Sequence, residues 1–356
     1  MAETFALDSL VVPGTYVQVR AEALIAGAAV STGNIGIVGT SATVPTTTQL
    51  LSGYAEAVAA FGAYDKFADK KHNLSRAIEI AYRNGAGIVH ARAVAANAGD
   101  DAYTAAFESL IKEDVNILIA PDVTTDKAKT ILGSLLNTAE SNQKDMIAVI
   151  GTDKTAVADI TGQVPENGRI IFVAPGIRVF DAAAKDMVTL PGTYAAAAVA
   201  GMLSTLSVQT SPTNKVLPGV GELEQRFTYG QEVTLLNARV LVLEQRGGVR
   251  MVRGITTDPG AFKEITTRRI TDFAKQGIRN AGAPFIGRLN NQRVRKALHG
   301  AVNGFLAGMV ADEALISYEL SVTATRDDEI RGRAVVNVLM EPTFSITFIP
   351  ATVTLA

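Results

Sequence analysis

The chain has 356 residues, a formal net charge of −2 at pH 7 and no cysteine. The near-zero charge gives no reason to expect nucleic acid as the main partner, and the missing cysteine excludes disulfides, thiolate metal sites and a cysteine nucleophile. Hydrophobic residues make up 47% and charged residues 19% of the chain, as in ordinary folded proteins, and the length allows two or three domains.

The N-terminal residues and the longest apolar run do not indicate export or membrane insertion. Residues 1–8 are acidic where a secretory signal would be basic, so export by that route is not expected. The longest helix-like apolar run, residues 195–206, is alanine-rich and too short to span a bilayer of about 30 Å. We therefore expect no direct membrane insertion.

Residues 1–20 are predicted to form an extended leader. Pro13-Gly14 predicts a turn, and Tyr16, Val17 and Val19 predict a short strand. Glycines then occur through the apolar strand at residues 33–40. This segment resembles a phosphate-binding loop only loosely, because the glycine spacing is too wide and no helix follows directly.

Residues 48–94 are predicted as two helices followed by a strand, and residues 100–175 alternate regularly between helices and apolar strands. Helical periodicity and strand composition place the helices at 48–61, 74–83, 103–112 and 128–142 and the strands at 87–94, 115–121, 146–150 and 170–175. Continuous apolar strands alternating with helices indicate a parallel sheet covered on both faces. Ligands of such sheets bind beyond the strand carboxyl ends, so Pro121-Asp122 and Pro175-Gly176 are where an active site would lie.

After an alanine-rich helix at residues 191–206, a proline-bounded linker at 211–219 precedes a different pattern. Residues 233–237 and 239–243 are interpreted as the approach to a hairpin that turns at Gly247-Gly248 and returns along 249–255. Further on, we expect helices at 266–276 and 291–309, then strands at 317–325 and 333–340 around an acidic turn at 327–329. The second half is therefore predicted to be α+β.

The last stretch of the chain has the period of a half-buried strand. Phe344, Ile346 and Phe348 alternate with threonine and serine, so their side chains would share one face. Two interpretations are open: the strand closes the chain's own sheet, or it adds to a sheet on a neighbour.

The sequence offers little for catalysis. Only His72, His90 and His299 could act as the usual general base, and none accompanies a recognisable nucleophile motif. No two histidines are close enough for metal ligation, and the acidic turn lacks the glycine and ligand spacing of a calcium loop. We therefore predict no catalytic, cofactor-binding or metal-binding residues.

One charge cluster lies at the start of the predicted helix at 291–309. Arg293, Arg295 and Lys296 fall where the helix dipole already places partial positive charge, so each costs a few tenths of a kcal/mol unless a partner compensates. The cluster is either a solvated helix face or a docking site for an acidic surface.

Several segments resemble, in order, the contractile tail sheath proteins of phages, R-type bacteriocins and related injection systems. The segments that carry the likeness are residues 13–17 (PGTYV), 35–40 (IGIVGT), 82–87 (YRNGAG), Leu236-Asn237, 247–250 (GGVR), 268–270 (RRI), Asn290-Asn291 with its helix, and the strand before Pro350. The chain departs from the family in having no tryptophan, which sheaths often carry in the linker and hairpin.

The resemblance implies a domain organisation. Residues 1–20 would be an N-terminal arm, and residues 21–230 an α/β domain whose part at about 100–210 is subtilisin-like in fold without protease activity. Residues 231–342 would form the α+β C-terminal domain, and residues 343–356 a C-terminal strand arm. By resemblance, Tyr16, Val17 and Val19 in one arm and Phe344, Ile346 and Phe348 in the other would add strands to adjacent subunits.

The resemblance also implies a function without enzyme activity or cofactor. Subunits would stack as hexameric rings around an inner tube held by Arg293, Arg295 and Lys296, and the sheath would contract to drive the tube through a target envelope. Baseplate and tail terminator proteins would be further partners, in a virion tail or contractile particle assembled in the bacterial cytoplasm. The alternatives are an α/β enzyme that binds a nucleotide or small substrate at the strand carboxyl ends, and a non-contractile lattice protein.

Overall fold

The computed structural model describes residues 31–69 and 72–354. The predicted arm residues Tyr16, Val17 and Val19 lie outside the described residues. Within the described chain, residues 31–272 and 344–354 form one compact unit and residues 273–343 form another. The predicted boundary at 230 falls inside the first of these units.

The first unit alternates strands and helices along most of its length. Its strands are β1 (Ile35–Thr40), β2 (Gln49–Leu51), β3 (Val89–Val94), β4 (Ile117–Ile119), β5 (Ile147–Gly151), β6 (Ile170–Ala174), β7 (Ile177–Asp181), β8 (Asp186–Leu190), β9 (Glu222–Leu223), β10 (Leu241–Gln245) and β11 (Val249–Met251). Its helices are α1 (Tyr54–Phe61), α2 (Leu74–Arg83), α3 (Asp100–Ile111), α4 (Thr125–Ser141), α5 (Val157–Gln163), α6 (Gly192–Thr205), α7 (Tyr229–Asn237) and the first part of α8 (Ile265–Gly282).

Eight of these strands form one sheet in the order β11-β10-β6-β5-β4-β1-β3-β2. The six strands from β10 to β3 run parallel, whereas the edge strands β11 and β2 are antiparallel to their neighbours. The prediction of a parallel sheet is confirmed. A separate three-stranded sheet has the order β8-β7-β9.

Both faces of the large sheet are buried, which explains its continuously apolar strands. Side chains alternate between faces along a strand, so Ile117 and Ile119 pack with residues of α2 and α6 on one face. Leu118 points the other way and packs with residues of α3 and α4.

Two local predictions in the first unit are wrong. Residues 48–53 precede the helix α1 and include the edge strand β2, and residues 233–237 belong to the helix α7 instead of a strand. α7 starts at a capping box in which the Thr228 side chain accepts from the Gln231 backbone N–H and the Gln231 side chain accepts from the Thr228 N–H. These reciprocal bonds satisfy N–H groups that the first helical turn leaves free.

The hairpin β10–β11 is confirmed, but it belongs to the large parallel sheet. Its turn uses Gly247 and Gly248, both with positive φ, as the sequence predicted. Leu241 pairs in parallel register with Val173 of β6, so the hairpin extends the first unit.

The second unit contains a long helix and a two-stranded ribbon. It comprises the last part of α8, a short 3₁₀ turn (Ala283–Phe285), α9 (Gln292–Ala311), β12 (Leu315–Thr323), α10 (Arg326–Ile330) and β13 (Val335–Pro342). β12 and β13 are antiparallel. The acidic residues 327–329, expected as a turn, lie in the short helix α10, which begins with a Thr325–Asp328 capping box.

Candidate functional site

Helix α9 separates a buried face from an open one. Asn291 caps its start, since its side-chain oxygen accepts from the Val294 backbone N–H at 3.0 Å. The buried face carries apolar side chains at helical spacing, and those of Leu298, Val302, Leu306 and Met309 are buried. The helix therefore has a fixed orientation within its unit, and its opposite face is exposed among the described residues.

The open face of α9 carries two cations followed by glycines at four-residue spacing. Its exposed residues include Arg293, Lys296, Gly300, Gly304 and Gly308. A Cβ built on any of the three glycines meets no described atom within 4 Å. Because residues four apart lie on one side of a helix, these glycines leave a bare stripe of backbone beyond Lys296.

The three glycines of this stripe are not explained by packing inside the described chain. Gly277 of α8 is different, because a Cβ there would lie 1.9 Å from the Phe305 ring. Glycine inside a helix costs about 1 kcal/mol relative to alanine. α9 therefore gives up stability along a stripe against which no described residue packs.

The predicted basic cluster is divided in the structure. Arg295 is largely buried and pairs with Glu329 of α10 at 3.0 Å. Arg293 and Lys296 are exposed and form no ion pair or hydrogen bond with any described residue. Two of the three cations are thus free to meet an outside partner, and the third is engaged within its own unit.

The β12–β13 ribbon presents strand edges. Tyr318, Leu320 and Val322 on β12 alternate with polar residues, and the Tyr318 hydroxyl donates to Oδ1 of Asn303 on α9 at 2.8 Å. Within the described chain each strand pairs only with the other. Both outer edges therefore offer backbone N–H and C=O groups to an added strand.

The terminal segment forms no strand with any described residue. Phe344, Ile346 and Phe348 have exposed fractions of 64%, 83% and 74%. The Phe348 ring contacts the guanidinium of Arg253, whose central carbon lies 5.4 Å from the ring centre. The interpretation that this strand closes the chain's own sheet is wrong for the described chain, and three large apolar side chains are left in solvent.

The strand carboxyl ends, where an enzyme site was considered, hold an internally satisfied carboxylate. Asp122 accepts hydrogen bonds from the Thr40 N–H at 2.7 Å, the Thr40 hydroxyl at 2.9 Å and the Tyr194 hydroxyl at 2.6 Å. Burial raises the pKa of Asp122 above its usual value, and these hydrogen bonds oppose the shift. The arrangement joins β1, β4 and α6 and is that of a structural carboxylate.

The histidines are not assembled into a site. His90 is buried in β3, where desolvation lowers its pKa, and Nδ1 of His72 lies 2.6 Å from the Asp65 carboxylate. Residues 31–69 and 72–354 contain no cluster of side chains able to hold a metal ion. None of the helices in these ranges is long and apolar enough to cross a bilayer.

Sequence reasoning found the basic cluster but missed two features beside it. The four-residue spacing of Gly300, Gly304 and Gly308 can be read from the sequence. A search for apolar periodicity misses it, because glycines do not count as apolar positions. Glu329 was recognised only as part of a solvated turn. Its pairing with Arg295 depends on the ribbon bringing two distant segments together.

Comparison with family models gives two adjoining matches. Residues 96–257 match the phage tail sheath protein central domain, and residues 257–356 match the phage tail sheath C-terminal domain. Together these matches cover most of the chain. Comparison with curated proteins gives no match.

Solved structures of several sheath proteins share the fold. The anti-feeding prophage helical sheath in its contracted state has a TM-score of 0.77 and 18% identity, covering 97% of this chain and 99% of its own. The contracted PVC sheath complex of an extracellular contractile injection system has a TM-score of 0.76 and 15% identity, covering 97% and 98%. A sheath tail protein from Listeria innocua has a TM-score of 0.71 and 13% identity, covering 91% and 95%.

Proposed function

The chain belongs to the phage tail sheath family, and we propose that it polymerises as stacked hexameric rings around an inner tube and contracts to drive that tube through a target envelope. The observation that carries the proposal is a mismatch inside the chain. Among the described residues, a terminal segment with strand periodicity and exposed aromatic residues joins no sheet, and the two strands of the ribbon pair only with each other. Each is complementary to the other on a neighbouring copy.

In this proposal, residues 343–356 of one subunit add a strand to the β12–β13 ribbon of a neighbour. Backbone hydrogen bonds along an open ribbon edge would supply the attachment, and burial of Phe344, Ile346 and Phe348 would add a hydrophobic contribution. The N-terminal arm, with Tyr16, Val17 and Val19, is assigned the same role toward another neighbour. Such arms keep subunits joined while their domains rotate.

The open face of α9 is the proposed contact with the inner tube. Arg293 and Lys296 supply positive charge and pair with no residue in the ranges that the structure describes, which favours an acidic surface opposite them. The stripe of Gly300, Gly304 and Gly308 lets that surface approach the helix backbone closely. The earlier assignment of Arg295 to this contact is revised, because Arg295 is paired with Glu329.

Contraction requires no cofactor in this proposal. Assembly leaves the lattice in an extended, metastable packing, and a trigger at the baseplate releases a rigid-body rearrangement toward better intersubunit contacts. A terminator protein would close the opposite end, and assembly would take place in the bacterial cytoplasm. We assign the chain a structural role without enzyme activity, in keeping with its family and with the enclosed Asp122 carboxylate.

The test is a deletion of residues 343–356. The expected product is a folded monomer that forms no tubes, because the described residues of the deleted segment form no strand in any sheet of their own chain. Circular dichroism reports folding, and negative-stain electron microscopy reports assembly. A matched control replaces Ser345 and Thr347, the polar residues between the aromatic ones, with valine, and should still assemble. Tubes formed by the deletion would refute the arm assignment.

A further inference from the structure

Arg295 joins two segments of the second unit that are far apart in sequence. Its Nη1 lies 3.0 Å from Oε1 of Glu329 in α10 and 2.9 Å from Oδ1 of Asn290, just before α9. The Asn290 side-chain amide donates in turn to the backbone carbonyl of Arg333 at 2.7 Å. The start of α9 and the connection between β12 and β13 are therefore tied together at two points.

This pair is more enclosed than the other ion pairs of the connection. The side chains of Arg295 and Glu329 are 17% and 24% exposed, whereas those of Arg331 and Asp327 are 62% and 61% exposed. Solvent and salt screen an enclosed pair less than an exposed one. The Arg295–Glu329 pair is thus the contact in this region best suited to hold a fixed geometry.

The pair also compensates part of the excess positive charge at the start of α9. The first turns of a helix carry partial positive charge, and three cations lie there with no acidic residue in the first turn. Glu329 brings a carboxylate to this end from another element. It also lies 3.0 Å from Arg326, and these two arginines lower its pKa.

We propose that Arg295 is a positioning residue whose pairing with Glu329, here called the latch, holds α10 against the start of α9. The latch fixes the direction in which Arg293 and Lys296 point, and it fixes the position of the tip of the β12–β13 ribbon. It does not itself contact the inner tube. This inference rests on the proposed function, since it concerns the same helix face. If the inference holds, loss of Glu329 should impair assembly as much as loss of Arg295, although the negative charge of Glu329 cannot bind an acidic surface.

The experiment compares Arg295→Gln, Glu329→Gln and the double variant in the full-length chain, produced with the other proteins of its particle. Arg331→Gln, which removes an exposed ion pair of α10, is the matched control. The measurements are thermal unfolding of the free subunit and the yield of extended particles at a temperature where every variant is folded. Arg295→Lys, which keeps the positive charge on a single donor nitrogen, is included as the conservative variant.

The latch predicts a several-fold loss of extended particles in each single variant and no greater loss in the double variant, because both changes break the same contact. Arg295→Lys should recover part of the yield, and Arg331→Gln should match the unchanged chain. If Arg295→Gln lowers the yield while Glu329→Gln leaves or raises it, Arg295 contacts the tube directly and the inference is overturned. Unchanged yields in both single variants would also overturn it.

The same experiment separates this inference from the proposed function. Arg293→Gln with Lys296→Gln removes only the exposed cations. If that pair of changes leaves normal extended particles while Arg295→Gln and Glu329→Gln lose them together, the tube contact is wrong and the latch stands. The reverse pattern retains the tube contact and rejects the latch.

Discussion

Replacement of Gly304 tests the stability of α9 and its proposed contact with a partner as two separate effects. Gly304 lies inside a 20-residue helix on the exposed face, and a Cβ there meets no described atom within 4 Å. Gly304→Ala should therefore raise the free energy of unfolding by about 0.5–1 kcal/mol, through the lower backbone entropy of the unfolded chain. Gly304→Gln should keep most of that gain, because glutamine is also a good helix former.

The two substitutions should differ in assembly. The glutamine side chain would occupy the bare stripe and, in the proposed contact, would keep the tube surface from the helix backbone. Gly304→Gln should therefore fold more stably than the unchanged chain and yet lose extended, tube-filled particles. Gly304→Ala adds a single methyl group and should have the smaller effect. Urea unfolding of the free subunit gives the stability, and electron microscopy of particles gives the yield.

The matched control is Gly133→Gln in α4, another helix-interior glycine with no described atom within 4 Å of a built Cβ. It should gain comparable stability and assemble normally. Normal yields of tube-filled particles from Gly304→Gln would refute the assignment of the α9 face. A loss of stability in Gly304→Ala would show that the stripe is already occupied within the chain.

Three further predictions concern charges. Arg293→Glu with Lys296→Glu should leave the free energy of unfolding unchanged or raise it, because the change replaces cations with anions at the positive end of the α9 dipole, and it should prevent extended particles; normal particles would contradict the tube contact. The pKa of Glu329 is lowered by Arg326 and Arg295, so the stability from these pairs is present above its usual value of 4.5 and lost as the pH falls through the lowered value. Glu329→Gln should lose less stability on acidification, and an equal loss in both chains would reject the pair as the source. Burial raises the pKa of Asp122, so its contribution to stability is present below the usual value of 3.8 and lost as the pH rises through the raised value. Asp122→Asn should remove this pH dependence of stability, as measured by denaturant titrations at several pH values. If the pH dependence is unchanged in the variant, Asp122 is not its source.

The parallel sheet was predictable because its signal is local. Strands such as β4 and β5 are apolar on every residue, and the helices between them carry an apolar stripe, so order and type follow from the sequence. The helix α2 has the predicted bounds, Leu74–Arg83. The helix α7 was not predicted, because its single buried side chain, Leu235, gives almost no periodic signal. The residues Thr228 and Gln231 do have the spacing of a capping box, which indicates a helix start.

Contacts between distant segments were not predictable from pattern. The position of β10 beside β6 depends on pairing between residues about 68 apart, and a hairpin signal does not say which sheet it joins. The Arg295–Glu329 pair likewise forms only after the ribbon has folded back. The sequence therefore predicted where the candidate site lies, at the start of α9. Only the structure showed that Arg295 is paired and that Arg293 and Lys296 are not paired with described residues.

The most direct test of the central claim is the structure of the assembled particle by cryo-electron microscopy. The account predicts subunits stacked in rings around an inner tube, with residues 343–349 of each subunit forming a strand on an open edge of a neighbour's β12–β13 ribbon and with α9 facing the tube. A discrete small oligomer in which Phe344, Ile346 and Phe348 pack against their own chain would contradict it.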